Sequence, residues 1–215
     1  MGRQQRREQS RKESKADRRA GAASRQRRDL WVGRTIVAVV VIAAAALAYS
    51  FYTRRQFVST VKTTDYSAGL HMAGPLAYTE TPPMGGTHNV TWQNCRVYTT
   101  PIHNEHAVHA LEHGAIWITY RPDLAAAQVE QLQMLASDDY MLVSPYPGLP
   151  ASIVASAWNH QKTFDQASDP GLRTFIDEYR NNPRTTPEFG APCSGGTSAD
   201  ATGDTLGGRP APLAQ

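Results

Sequence analysis

With 215 residues the chain has room for one domain and its appendages. The formal net charge of +3 conceals a split, because positions 1–34 hold twelve of the 22 Lys and Arg against four acids, leaving an acidic remainder. That imbalance narrows the arm to a membrane-flanking or nucleic-acid-binding tail. The sequence has no phosphate-cradling glycine loop and no nucleophile elbow, so nucleotide-binding and serine-hydrolase functions lack support.

The residues next in the chain decide between these two roles. Residues 35–52, TIVAVVVIAAAALAYSFY, carry no charge. As a helix they rise about 27 Å, close to the hydrocarbon thickness of a bilayer. Trp31, Tyr49 and Tyr52 lie near the ends, where amphipathic rings favour the interface. The arginine excess on the N-terminal side predicts residues 1–34 as a disordered basic tail in the cytoplasm. The remainder is then expected outside the cell membrane, with the lipid bilayer as partner and no nucleic acid. A cleaved signal, with Ala46–Ala48 as the cleavage site, is the alternative to an anchor. Either way the body leaves the cytoplasm, and in an oxidising compartment Cys95 and Cys193 are expected to form one disulfide, with two free buried thiols as the alternative.

Residues 53–64 read as a stalk and 65–193 as the globular domain. TPPMGGTH, ending at His88, is a loop, since Pro82, Pro83, Gly85 and Gly86 exclude regular structure. NVTWQNCRVY reads as a weak strand or hairpin. HNEHAVHALEH reads as a short helix closed by Gly114. AIWITY is a strand. Asp123 is expected to cap a helix running to Ala136, with Leu124, Val129, Leu132 and Leu135 on one face. YMLVS and ASIVASAW are the next strands. Asp169–Pro170 opens a last helix with Leu172, Phe175, Ile176 and Tyr179 as its apolar stripe. Residues 194–215, rich in Gly, Ser, Thr, Ala and Pro, read as a disordered tail. Such a mixture predicts a small layered α/β or α+β domain, with an order of elements like that of thioredoxin-like folds but no CxxC pair.

The segment HNEHAVHALEHG holds four of the seven histidines. On a helix His106, His109 and His113 fall within about 60° of one another, opposite Ala107, Val108 and Leu111. This predicts an apolar face on the core and a histidine stripe away from it. His106 and His113 are about 10.5 Å apart along the axis, too far for one ion with bonds of about 2.0–2.1 Å. His109 with His113 is the feasible pair, and His106 with His109 the next. A third ligand must come from a distance: His88 first, then His103, Glu105 or His160. Zinc suits such ligands. Copper does too, with Met72 and Met84 near His71 and His88. HALEH also fits the H-x-x-E-H pattern, in which Glu112 would be the base of a metal-dependent hydrolase. The reading without metal is a scaffold or interaction domain of the envelope whose histidines bond backbone groups, with a protein partner there.

TPPMGGTH, VHALEHGAIWITYRPDL, LVSPYPGLP and ASAW together resemble domain of unknown function family 3105. The resemblance covers about residues 65 to 193 and is most specific at HALEHG with the preceding proline–glycine–histidine loop. It implies a bacterial, often actinobacterial, envelope protein with one membrane pass. It implies that His88, His109, Glu112, His113 and Gly114 share one feature, and it implies no activity.

Overall fold

The computed structural model describes residues 2–137, 139–202 and 206–207. The chain divides into two compact units, residues 1–55 and 56–215. The first is helical: α1 runs Gly2–Val58, and its part Trp31–Val58 is long and apolar enough to cross a membrane. The apolar side chains of this part, such as Ile36, Val40 and Leu47, are exposed.

The second unit contains β1 (Lys62–Thr63), α2 (Asn104–Glu112), β2 (Ile116–Tyr120), α3 (Ala126–Leu135), β3 (Met141–Pro145), β4 (Ile153–Ala157), β5 (His160–Phe164) and α4 (Pro170–Tyr179). The five strands form one sheet in the order β1-β5-β4-β2-β3. Only β2 and β3 are parallel, joined by the crossover helix α3, with Ile118 opposite Val143. The β4–β5 hairpin is antiparallel, with Ala157 opposite His160. The fold is therefore a mixed α+β domain.

Strand β2 is buried on both faces, which its β-branched and aromatic sequence suits. Alternation sends Ile116, Ile118 and Tyr120 to one core, with Leu132 of α3 and Leu172, Phe175, Ile176 and Tyr179 of α4. Trp117 points the other way, to Ala107, Val108, Ala110 and Leu111 of α2 and to Trp158. Each large apolar side chain so buried stabilises the fold by about 1.5–3 kcal/mol. α4 starts as its sequence predicts, with the Asp169 carboxylate accepting from the Gly171 N–H at 2.7 Å.

Four expectations are revised. Asp123 does not cap α3, because its carboxylate takes both Nε and a terminal guanidinium nitrogen of Arg121, at 2.9 and 2.6 Å, and the helix starts at Ala126. NVTWQNCRVY forms no strand, only single bridges at Gln93–Thr197 and Val97–Val143. The Asn89 amide oxygen instead accepts the Thr91 backbone N–H, as asparagines do in turns, and that of Asn94 accepts the distant Gly196 N–H. A further strand, β5, comes after the positive-φ turn at Asn159. Finally, the described residues after Cys193, 194–202 and 206–207, are hydrogen-bonded to the domain, while the rest of the expected disordered tail lies outside the described residues. Thr197 exchanges backbone bonds with Trp92 and Asn94, and the Leu206 carbonyl accepts from Gly74.

Candidate metal centre

Helix α2 carries the site, and its polar face is not on the surface. His106, His109 and His113 are 2 %, 4 % and 3 % exposed. The irregular segment 64–103 and the chain after residue 185 cover them, so the expectation of a histidine stripe away from the core is corrected. Helical periodicity showed which side chains share a face but not that loops would close over it.

Each of these imidazoles is oriented by one nitrogen. Nδ1 of His88 meets the Gly86 carbonyl at 2.8 Å, Nδ1 of His109 meets that of Asn89 at 2.7 Å, and Nδ1 of His113 meets that of Pro192 at 2.8 Å. A carbonyl only accepts, so each Nδ1 carries a proton and Nε2 is the atom each ring has left for another partner. This arrangement orients imidazoles as metal ligands.

The Nε2 atoms converge. His71, His88, His109 and Glu112 each offer one ligand atom, all within 4.8 Å of one another. The three ring centroids lie 4.7–4.8 Å apart. His88 Nε2 lies 2.8 Å from Glu112 Oε2, and His71 Nε2 lies 4.0 Å from it. The His88 and Glu112 side chains are fully buried, and His88 Nε2 and Glu112 Oε2 have no hydrogen-bond partner beyond each other. The other carboxylate oxygen accepts from the Gly69 N–H at 2.6 Å. Tetrahedral ligands of a zinc-sized ion stand about 3.3 Å apart, so the cluster closes around one with small side-chain shifts.

The electrostatics match a cation site. Burial, reinforced by neighbouring His88 and His113, lowers the pKa of His109 to about 3, so the ring is neutral. Burial and His88 also lower that of His71. Burial raises the Glu112 carboxyl, but His88 and the Gly69 N–H outweigh it and the net shift is downward. A neutral His109 beside an ionised Glu112 is the combination of protonation states that binds metal.

Of the residues singled out in the sequence, His88, His109 and Glu112 meet here, with Glu112 offering a ligand atom beside the imidazoles. His113 turns to a neighbouring group with His109 and Glu188. His106 does not reach the cluster: its Nδ1 binds the Thr91 carbonyl and its ring abuts His103. Glu105 accepts from the Leu76 N–H, and His160 stacks on Tyr179. Two contributors had no sequence signal, His71 in an irregular loop and Glu188 in TTPEFGAPC. Cys95 and Cys193 form the disulfide that ties this segment down.

An α+β domain behind one apolar helix, with imidazoles and a carboxylate gathered under loops, defines the class. Sequence comparison narrows it: a family model described as protein of unknown function, DUF3105, matches residues 70–195. The chain belongs to that family, and the match contains every ligand named above. Neither a curated protein nor a solved structure matches.

Proposed function

We propose that the domain is a transition-metal-binding module, holding one ion through Nε2 of His71, His88 and His109 and an oxygen of Glu112. One observation carries this reading. Nε2 of His88 faces a carboxylate oxygen of Glu112 at 2.8 Å, both fully buried and with no partner but each other, and His71 and His109 turn ligand atoms to the same place. A buried imidazole nitrogen and a buried carboxylate oxygen this close share a cation, either a proton or a metal ion. A shared proton would serve that pair alone. It gives no reason for His71 and His109 to aim at the same point.

Three imidazoles and a carboxylate suit zinc or copper(II). Four protein ligands make a closed site, whereas catalytic zinc keeps an open position. With both oxygens of Glu112 engaged and the side chain sealed from solvent, the geometry favours binding over hydrolysis. We further infer that Trp31–Val58 anchors the chain in the cell membrane, basic arm inside and domain outside, because the arginines cluster before the span.

The test is elemental analysis of the full chain in detergent, purified without chelators, beside His109→Ala. One zinc or copper per chain, lost in the variant, is expected. No metal in either protein after incubation with both ions would favour the envelope scaffold, with His88 and Glu112 joined by a proton.

A further inference from the structure

The second cluster shares a member with the first. His113 Nε2 lies 3.2 Å from Glu188 Oε2, and both lie within 4.8 Å of a His109 nitrogen. The His109 and His113 rings are 4.6 Å apart, with Trp92 against both. The Glu188 backbone N–H donates to the Glu112 carbonyl, which holds this carboxylate beside the end of α2. On this side exposure is graded, the Glu188 side chain being 43 % exposed and that of His113 4 %, while His88 and Glu112 are sealed and His71, at 34 %, opens the inner set on its other side. His109 Nδ1 is committed to Asn89, so its Nε2 is the single coordinating atom and can serve one ion at a time.

We propose that His113 and Glu188 form an outer cation station, and that a divalent transition-metal ion passes between it and the inner ligands by exchange at His109 Nε2. This rests on the metal reading above. The ion first binds Glu188 and His113, then gains His109. It sheds the outer pair as His71, His88 and Glu112 replace them. Bound water leaves in the process and no electron moves. His109 is the pivot because it alone reaches both sets. The ligand count never falls to one, which is what lets a tightly held ion move at all.

A residue on a path differs from a ligand of the final site. Removing a step slows loading and release equally and leaves affinity unchanged. Glu188 is the residue to change, since its side chain is the most exposed member of the outer pair. Copper(II) binding to the full chain in detergent is followed by stopped-flow quenching of tryptophan, because Trp92 and Trp158 lie against cluster histidines. Release is driven by a chelator. In Glu188→Ala and Glu188→Gln both rate constants are expected to fall about tenfold, within the range that local charge and ligation change metal access, with Kd unchanged. Unaltered rates would overturn the proposal and send the ion past His71. A slower loading rate with Kd weakened in proportion would also overturn it, reducing Glu188 to an attracting charge. Faster release with unchanged loading would make Glu188 a ligand of the final site. If the unmodified protein shows no quenching, the metal reading itself fails, an outcome distinct from the others.

Discussion

Glu112→Gln separates a metal site from a protonated pair. Glutamine has the same shape. Its carbonyl can keep the Gly69 N–H, and its amide NH₂ can donate to the free Nε2 of His88. The metal-free variant should therefore be within about 1 kcal/mol of the parent, because a buried acceptor has gained a neutral donor. Metal binding should suffer heavily. A four-ligand zinc site contributes about 10–16 kcal/mol, so one anionic ligand accounts for about 3 kcal/mol, or about a hundredfold in Kd. At a metal concentration that saturates the parent, the same 3 kcal/mol appears as lost ligand-induced stabilisation. For a domain of this size that is about 6–12 °C in Tm. The assay is chelator competition for Kd and differential scanning fluorimetry with and without zinc or copper, on the full chain in detergent. If Glu112→Gln keeps the parental Kd, the carboxylate is not a ligand and the central argument is wrong. If the metal-free variant loses several kcal/mol, Glu112 is held by a buried ion pair, which supports the scaffold.

The Gly114→Ala variant should be destabilised by about 2–5 kcal/mol, combining a left-handed backbone with overpacking. Its φ is +101°, and an added Cβ would stand 2.9 Å from the Asn181 Cα and from Thr186 Cγ2. Urea denaturation reads this, and a variant of parental stability would mean that α2 can end differently. The metal-free protein should also weaken in acid. His109 is near 3 when folded against 6.5 for the free group, so only the unfolded chain takes up its proton between those values. Stability is then full above about pH 6.5 and declines by up to about 1.4 kcal/mol per unit below it, about 2 kcal/mol by pH 5. The lowered carboxyl of Glu112 adds loss in the same direction as pH falls through its folded value. Denaturation midpoints at pH 7 and pH 5 check this, and equal values would show that water reaches His109.

The elements nearest the sheet were legible because pattern and burial agree there. β2, β3, β4 and α4 satisfy local rules of strand alternation, apolar stripe and capping, with nothing long-range to override them. Asp123 was misread because a carboxylate near a guanidinium has a stronger option than a helix N-terminus. The site was half legible. His109 and Glu112 share a helix and His88 ends a loop rich in turn formers, so spacing could connect them. His71 and Glu188 join through loops that no periodicity describes. Glu112 fitted a base motif by its letters alone; Gly69 and His88 decide what it does, and both lie far off in sequence.

Between β1 and α2 the chain runs some forty residues without a helix or a strand. Loops of such length are uncommon in compact domains unless they serve a function. His71 and His88 both come from this stretch, while His109 and Glu112 lie just beyond it. An ion joining them would close two consecutive rings of chain, and closing rings removes entropy from the unfolded state whatever bond does it. For this segment the ion would be a reversible counterpart of the Cys95–Cys193 disulfide, which closes the opposite end. The two cross-links answer to different conditions, one to redox poise and the other to metal supply. Backbone hydrogen exchange between residues 64 and 103 would then slow with metal while the sheet stays unchanged, making the order of nearly a fifth of the chain a gauge of metal supply.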